Sequence, residues 1–138
     1  MQELIEIPKD IRDQMIDHAM SELPDEACGL LAGPLGTGKV MVAYRCRNDA
    51  ASARLYTVNS QDMLRADRDA QSRGLDIIGV YHSHTHTEPY PSPTDVAQAP
   101  DPTWHYVIVS LSEAEPRLRS YRIVDGTVTE EPVALERR

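Results

Sequence analysis

At 138 residues the chain has the length of a single domain, 1–138, enough to bury a core without disulfide or metal staples. A net charge of −8 argues against nucleic acid as partner, since binders carry a basic patch, and no apolar stretch approaches the length of a membrane span. Cys28 and Cys46 provide neither a disulfide framework nor a CxxC motif, and Met1-Gln2-Glu3-Leu4 does not read as a secretory signal, so the expected compartment is the cytoplasm.

The spacing predicts a helix from Pro8 to about Leu23, with Pro8 near its first turn and Ile11, Met15, Ala19 and Leu23 four residues apart. Pro24-Asp25 breaks it. Ala27 to Ala32 reads as a short apolar strand, and Gly36-Thr37-Gly38 turns it into a second strand, Lys39 to Arg45. Leu55 to Val58 predicts a further strand. Ser60 is placed to cap a second helix that runs to about Ser72, with Gly74 just beyond its end.

Ile77 to His84 is a buried strand by its apolar run. After a proline-rich loop, Ser92 fits an N-cap with Pro93 at the first helical position, and Pro100 and Pro102 close that short helix. Trp104 to Leu111 and Leu118 to Val124 are strands, and Asp125-Gly126 is a hairpin turn into Thr127 to Val133. The order α-β-β-β-α-β-α-β-β-β predicts the α/β class: one mixed sheet flanked by helices.

The chemistry concentrates in His82-Ser83-His84-Thr85-His86-Thr87-Glu88-Pro89-Tyr90-Pro91-Ser92-Pro93-Thr94-Asp95. On a strand, residues two apart point to one side, so His82 and His84 face the same way with Cα atoms roughly 7 Å apart. Two imidazoles at that separation can converge on one metal ion. Asp95, brought back by a proline-stiffened loop, can supply a third ligand and leave a position for water, the pattern of a catalytic zinc site. Asp95 also stands three residues after Ser92, where a carboxylate caps a helix, and capping and ligation are compatible. Such a site needs an acid/base that does not itself bind the metal. Glu26, at the start of the apolar strand Ala27 to Ala32, is the leading candidate; sequence separation does not exclude it, because neighbouring strands of one sheet bring distant residues together.

Glu26-Ala27-Cys28-Gly29-Leu30-Leu31-Ala32-Gly33, followed by His82-Ser83-His84, seven residues and Ser92-x-x-Asp95, resembles the JAMM, or MPN-plus, metalloprotease family. The likeness extends over nearly the whole chain. It is greatest for the bacterial stand-alone members that release cysteine from the C-terminus of a sulfur-carrier protein. The resemblance implies an MPN-type fold related in layering to cytidine deaminases, one zinc ion held by His82, His84 and Asp95, Glu26 as general acid/base, and the Ser92 hydroxyl on the oxyanion. It also implies hydrolysis of amide or isopeptide bonds after the C-terminal Gly-Gly of a ubiquitin-like partner.

Two departures stand out. Thr85 occupies a position that is proline in many members, and His86 adds a third alternating histidine, expected at the channel edge or in solvent. Cys28 is expected to be a buried small hydrophobe, and His18 and His105 to be surface or supporting residues rather than ligands.

The competing functions are a non-catalytic scaffold of the same fold, which would lack parts of the set Glu26, His82, His84, Ser92 and Asp95, and an isopeptidase acting on lysine-linked adducts. A nucleobase deaminase is excluded, because the chain has neither H-x-E nor P-C-x-x-C.

Overall fold

The computed structural model describes residues 4–136. Its elements are β1 (Ile5–Pro8), α1 (Lys9–Glu22), β2 (Cys28–Gly33), β3 (Val42–Cys46), α2 (Ser60–Ser72), β4 (Asp76–His84), α3 (Pro93–Ala97), β5 (His105–Ser110), β6 (Arg117–Val124), β7 (Thr127–Glu131) and β8 (Val133–Glu136). Six strands form one mixed sheet in the order β3-β2-β4-β5-β6-β7, and β1 pairs with β8 in a separate two-stranded sheet. Only β4 and β5 run parallel within the larger sheet, joined through the proline-rich loop and α3. Among the described residues no helix is long and apolar enough to cross a membrane.

Strand alternation sorts the core into two layers. Leu31, Tyr81, Val107 and Val109 pack with Ile5, Ile7, Ile11, Met15 and Ala19 of β1 and α1. Cys28, Leu30, Val80, Ile108 and Ile123 pack on the opposite side with Ala66 of α2. Gly29 is required where β2 passes the Tyr81 ring, since a Cβ there would lie 2.2 Å from Tyr81 Cε2.

Several elements differ from their sequence expectation. Ile5–Pro8 is a strand, and the expected strand Thr127 to Val133 is two, because Pro132 ends β7 and the chain leaves to pair with β1. Leu23 is 47 % exposed rather than in the core, since the residue before Pro24 is pushed out of helical geometry, with ψ of 137°. Asn59, not Ser60, caps α2, its side chain accepting from the Asp62 N–H at 3.0 Å. Leu55 to Val58 is extended but forms no strand. It is held by Asn48, whose Nδ2 donates to the Leu55 carbonyl and whose Oδ1 accepts from the Thr57 N–H, with a single bridge between Asn48 and Val58.

Candidate metal centre

His82 and His84 close β4, on the α2 side of the sheet together with Val80. Two fixed segments hold this strand end. The Ser83 Oγ accepts from the Ala27 N–H at 2.7 Å, and the Ser83 N–H donates to the Ala27 carbonyl at 3.0 Å, extending the β2–β4 pairing past its last ladder residues. Thr85 is buried and its hydroxyl donates to the Ala53 carbonyl at 3.2 Å, a bond that a proline at this position could not make.

Asp95 arrives from α3. Ser92 Oγ accepts from the Asp95 N–H at 3.0 Å while the Asp95 carboxylate accepts from the Ser92 N–H at 2.9 Å, a capping box with Pro93 in the first turn. Capping uses Asp95 Oδ2, and that atom also faces both imidazoles. His82 Nε2, His84 Nε2 and Asp95 Oδ2 lie 3.1 Å from one another on all three sides.

That triangle is close to what one tetrahedral ion demands, for which ligands at about 2.0–2.1 Å stand roughly 3.3 Å apart. His84 Nδ1 donates to the Glu88 carbonyl at 2.9 Å, which leaves the Nε2 lone pair facing inward. Burial depresses the pKa of His82, against the pull of Asp95. For His84 burial acts the same way, but the bonds to Asp95 and the Glu88 carbonyl outweigh it and raise the pKa. Asp95 is held well below the usual carboxylate range, burial being overcome by the two histidines. Two imidazole nitrogens converging on one carboxylate oxygen make a donor set that a divalent cation satisfies.

Glu26 is brought to the same end of the sheet. Cys28 pairs with His82, so the antiparallel register carried two residues further sets Glu26 opposite His84, on the same face. Its backbone is fixed by its N–H donating to the Ser52 carbonyl at 2.7 Å and its carbonyl accepting from Asn48 Nδ2 at 3.0 Å. The side chain is 3 % exposed and its Oε1 has no hydrogen-bond partner. Burial pushes this carboxyl up to about 8, with His84 opposing the shift and Asp95 adding to it. A buried carboxyl poised near neutrality beside a candidate cation site is suited to moving a proton.

The remaining residues separate from the triad. His86 follows the end of β4, is exposed, and lies outside the group that could hold a metal. Cys28 is buried with its thiol pushed up to about 12, which suits packing rather than reactivity. His18 is buried on the opposite face against Tyr81, and His105 bonds Glu131 at 2.7 Å, so both are interior supporting residues rather than surface ones. Sequence reasoning missed Tyr56, whose ring stacks on His82 at 4.3 Å with an interplanar angle of 19°. The alternation of Tyr56 and Val58 just before a helix cap was its signal.

Residues 8–124 match the family model described as prokaryotic homologs of the JAB domain. A CysO-cysteine peptidase from Mycobacterium tuberculosis is 44 % identical over 128 residues, covering 92 % of this chain and 88 % of the relative. A desampylase from Haloferax volcanii is 31 % identical over 111 residues, 77 % of this chain and 80 % of that protein. A protein from Desulfitobacterium hafniense, solved in solution, superimposes with a TM-score of 0.89 at 33 % identity, covering 97 % of this chain and 94 % of that one.

Proposed function

The chain belongs to the family of prokaryotic JAB-domain homologs, and from that premise we propose that it is a zinc-dependent peptidase acting on a ubiquitin-like sulfur carrier. It hydrolyses the amide bond after the carrier's C-terminal glycine, and cysteine is the leaving group. The observation that carries the reading is the 3.1 Å triangle of His82 Nε2, His84 Nε2 and Asp95 Oδ2, with the unpartnered Glu26 carboxyl at the same strand ends. The 44 % identity to a CysO-cysteine peptidase supports this substrate class.

His82, His84 and Asp95 would hold a zinc ion, which would supply a Lewis acid and bring the pKa of bound water down toward about 7. Beside such a charge Glu26 would favour its carboxylate over the neutral acid that burial alone prefers. Glu26 then accepts the proton of the attacking water and returns it to the departing amine, which requires one oxygen free of structural bonds, and Oε1 is free. Among the described residues the Ser92 Oγ accepts only from the Asp95 N–H, so its own O–H can donate to the oxyanion as the carbonyl becomes tetrahedral. A scaffold would have no use for an unpaired buried carboxyl, whose desolvation is costly.

Likeness to a desampylase supports lysine-linked conjugates as the second reading. The deciding experiment incubates the zinc-loaded chain with a Gly-Gly carrier bearing C-terminal cysteine and with a Lys-linked ubiquitin dimer, and follows mass. Loss of cysteine with the dimer untouched is the expected result. Cleavage of the dimer alone would remove the cysteine assignment and leave an isopeptidase.

A further inference from the structure

A cavity of about 170 Å³ opens beside the triad, lined by Tyr56, Val58, Met63, Val80, Pro100 and Trp104. Thr57, Gln98 and Asp95 line it as well, so the cavity reaches one ligand residue of the candidate metal centre, and Tyr56, whose ring stacks on His82, forms part of its wall. Sites that enclose a whole small ligand occupy about 300–1,000 Å³, so this one suits a single side chain of a substrate anchored elsewhere. A second cavity, of about 380 Å³, shares Met63 and Trp104 and continues along α2 past Leu64, which is 51 % exposed. The apolar surface therefore starts at a metal-ligand residue and leads outward along the helix.

We propose that this cavity selects the carrier by taking a bulky aliphatic side chain from the residue just before its terminal glycine pair, a step that rests on the peptidase reading of the adjoining site. Two glycines at the reacting end offer nothing to grip. The first side chain that can anchor the tail is the one preceding them. In an extended tail it faces the same way as the scissile glycine, two residues and about 7 Å away. A cavity that shares Asp95 with the triad is within that reach. Leucine, isoleucine or valine fits the apolar part of the lining, whereas an acidic side chain there would be desolvated close to Asp95, a residue of its own sign. Burying one such side chain is worth on the order of ten- to a hundredfold in affinity.

Trp104 is the only tryptophan of the chain, so its fluorescence reports occupancy directly. The zinc-loaded Glu26→Gln chain is titrated with carriers ending X-Gly-Gly-Cys, with X as leucine, alanine or aspartate. Leucine is expected to blue-shift the emission and to bind at least about tenfold more tightly than alanine, and aspartate to give no shift. With the unsubstituted chain, kcat/KM should follow the same order. Met63→Ser, at a half-buried position of α2, should reduce the leucine advantage to less than about threefold. Equal affinities, spectra and cleavage rates for the three tails would overturn the cavity's role and leave the peptidase standing. Failure of the unsubstituted chain to cleave any tail would overturn the peptidase reading and this proposal with it.

Discussion

His18 gives the chain a pH-dependent stability whose size can be worked out. It lies in α1 with 4 % of its surface exposed, and its Nδ1 is 2.7 Å from the Tyr81 hydroxyl. Burial, reinforced by the nearby Arg45 charge, lowers its pKa from 6.5 to about 4, while burial keeps the Tyr81 phenol protonated so that it donates to the neutral ring. The unfolded chain therefore takes up a proton below 6.5 that the folded chain refuses until about 4. The contribution of His18 is constant above 6.5 and falls as pH drops through that window, because there the unfolded state binds more protons. The gap is worth about 3 kcal/mol in full, of which about 2 kcal/mol is already lost at about pH 5. Urea unfolding in the presence of a chelator, at about pH 8 and pH 5, should show the chain losing about 2 kcal/mol more than His18→Gln, whose amide can still accept from Tyr81. Identical losses in the two proteins would refute the assignment of a neutral buried ring.

Further outcomes follow from the site and the sheet. His82→Ala leaves two ligands, and metal analysis after dialysis should find zinc falling from about one per chain to almost none. Ser92→Ala should retain zinc but cut turnover by about 10²–10³-fold through the lost oxyanion donor. Its urea midpoint should also fall by an amount equivalent to about 1 kcal/mol for the lost cap. Gly29→Ala places a Cβ 2.2 Å from Tyr81 Cε2 and 2.4 Å from the Tyr44 carbonyl oxygen, and calorimetry should show Tm lowered by at least about 5 °C.

The parts of the centre that were legible in the sequence are those specified locally. His82 and His84 share a face because a strand has a period of two, and Ser92, Pro93 and Asp95 carry a helix start whose capping geometry also aims the carboxylate at the histidines. Glu26 was legible as a strand-start residue, but its position opposite His84 depends on the register of β2 on β4, which local propensity does not determine. The alternation of Ile5 and Ile7 went unrecognised as a strand because its partner Val133–Glu136 lies at the other end of the chain. Leu55 to Val58 has a strand's composition, yet its backbone is bonded chiefly by the Asn48 side chain rather than by a ladder. His18 sits in the helical pattern as a polar residue, and only the fold shows that Tyr81 reaches it from the sheet.

The central claim is that a metal held by His82, His84 and Asp95 works with Glu26 as the proton carrier. It is tested most directly by the turnover of a carrier–cysteine conjugate by the Glu26→Gln chain, in a preparation shown to contain about one zinc per chain. Gln matches the shape of the glutamate and cannot accept the proton, so cleavage is predicted to fall by about 10²–10⁴-fold with zinc retained. Turnover within a few-fold of the unsubstituted chain would contradict the account.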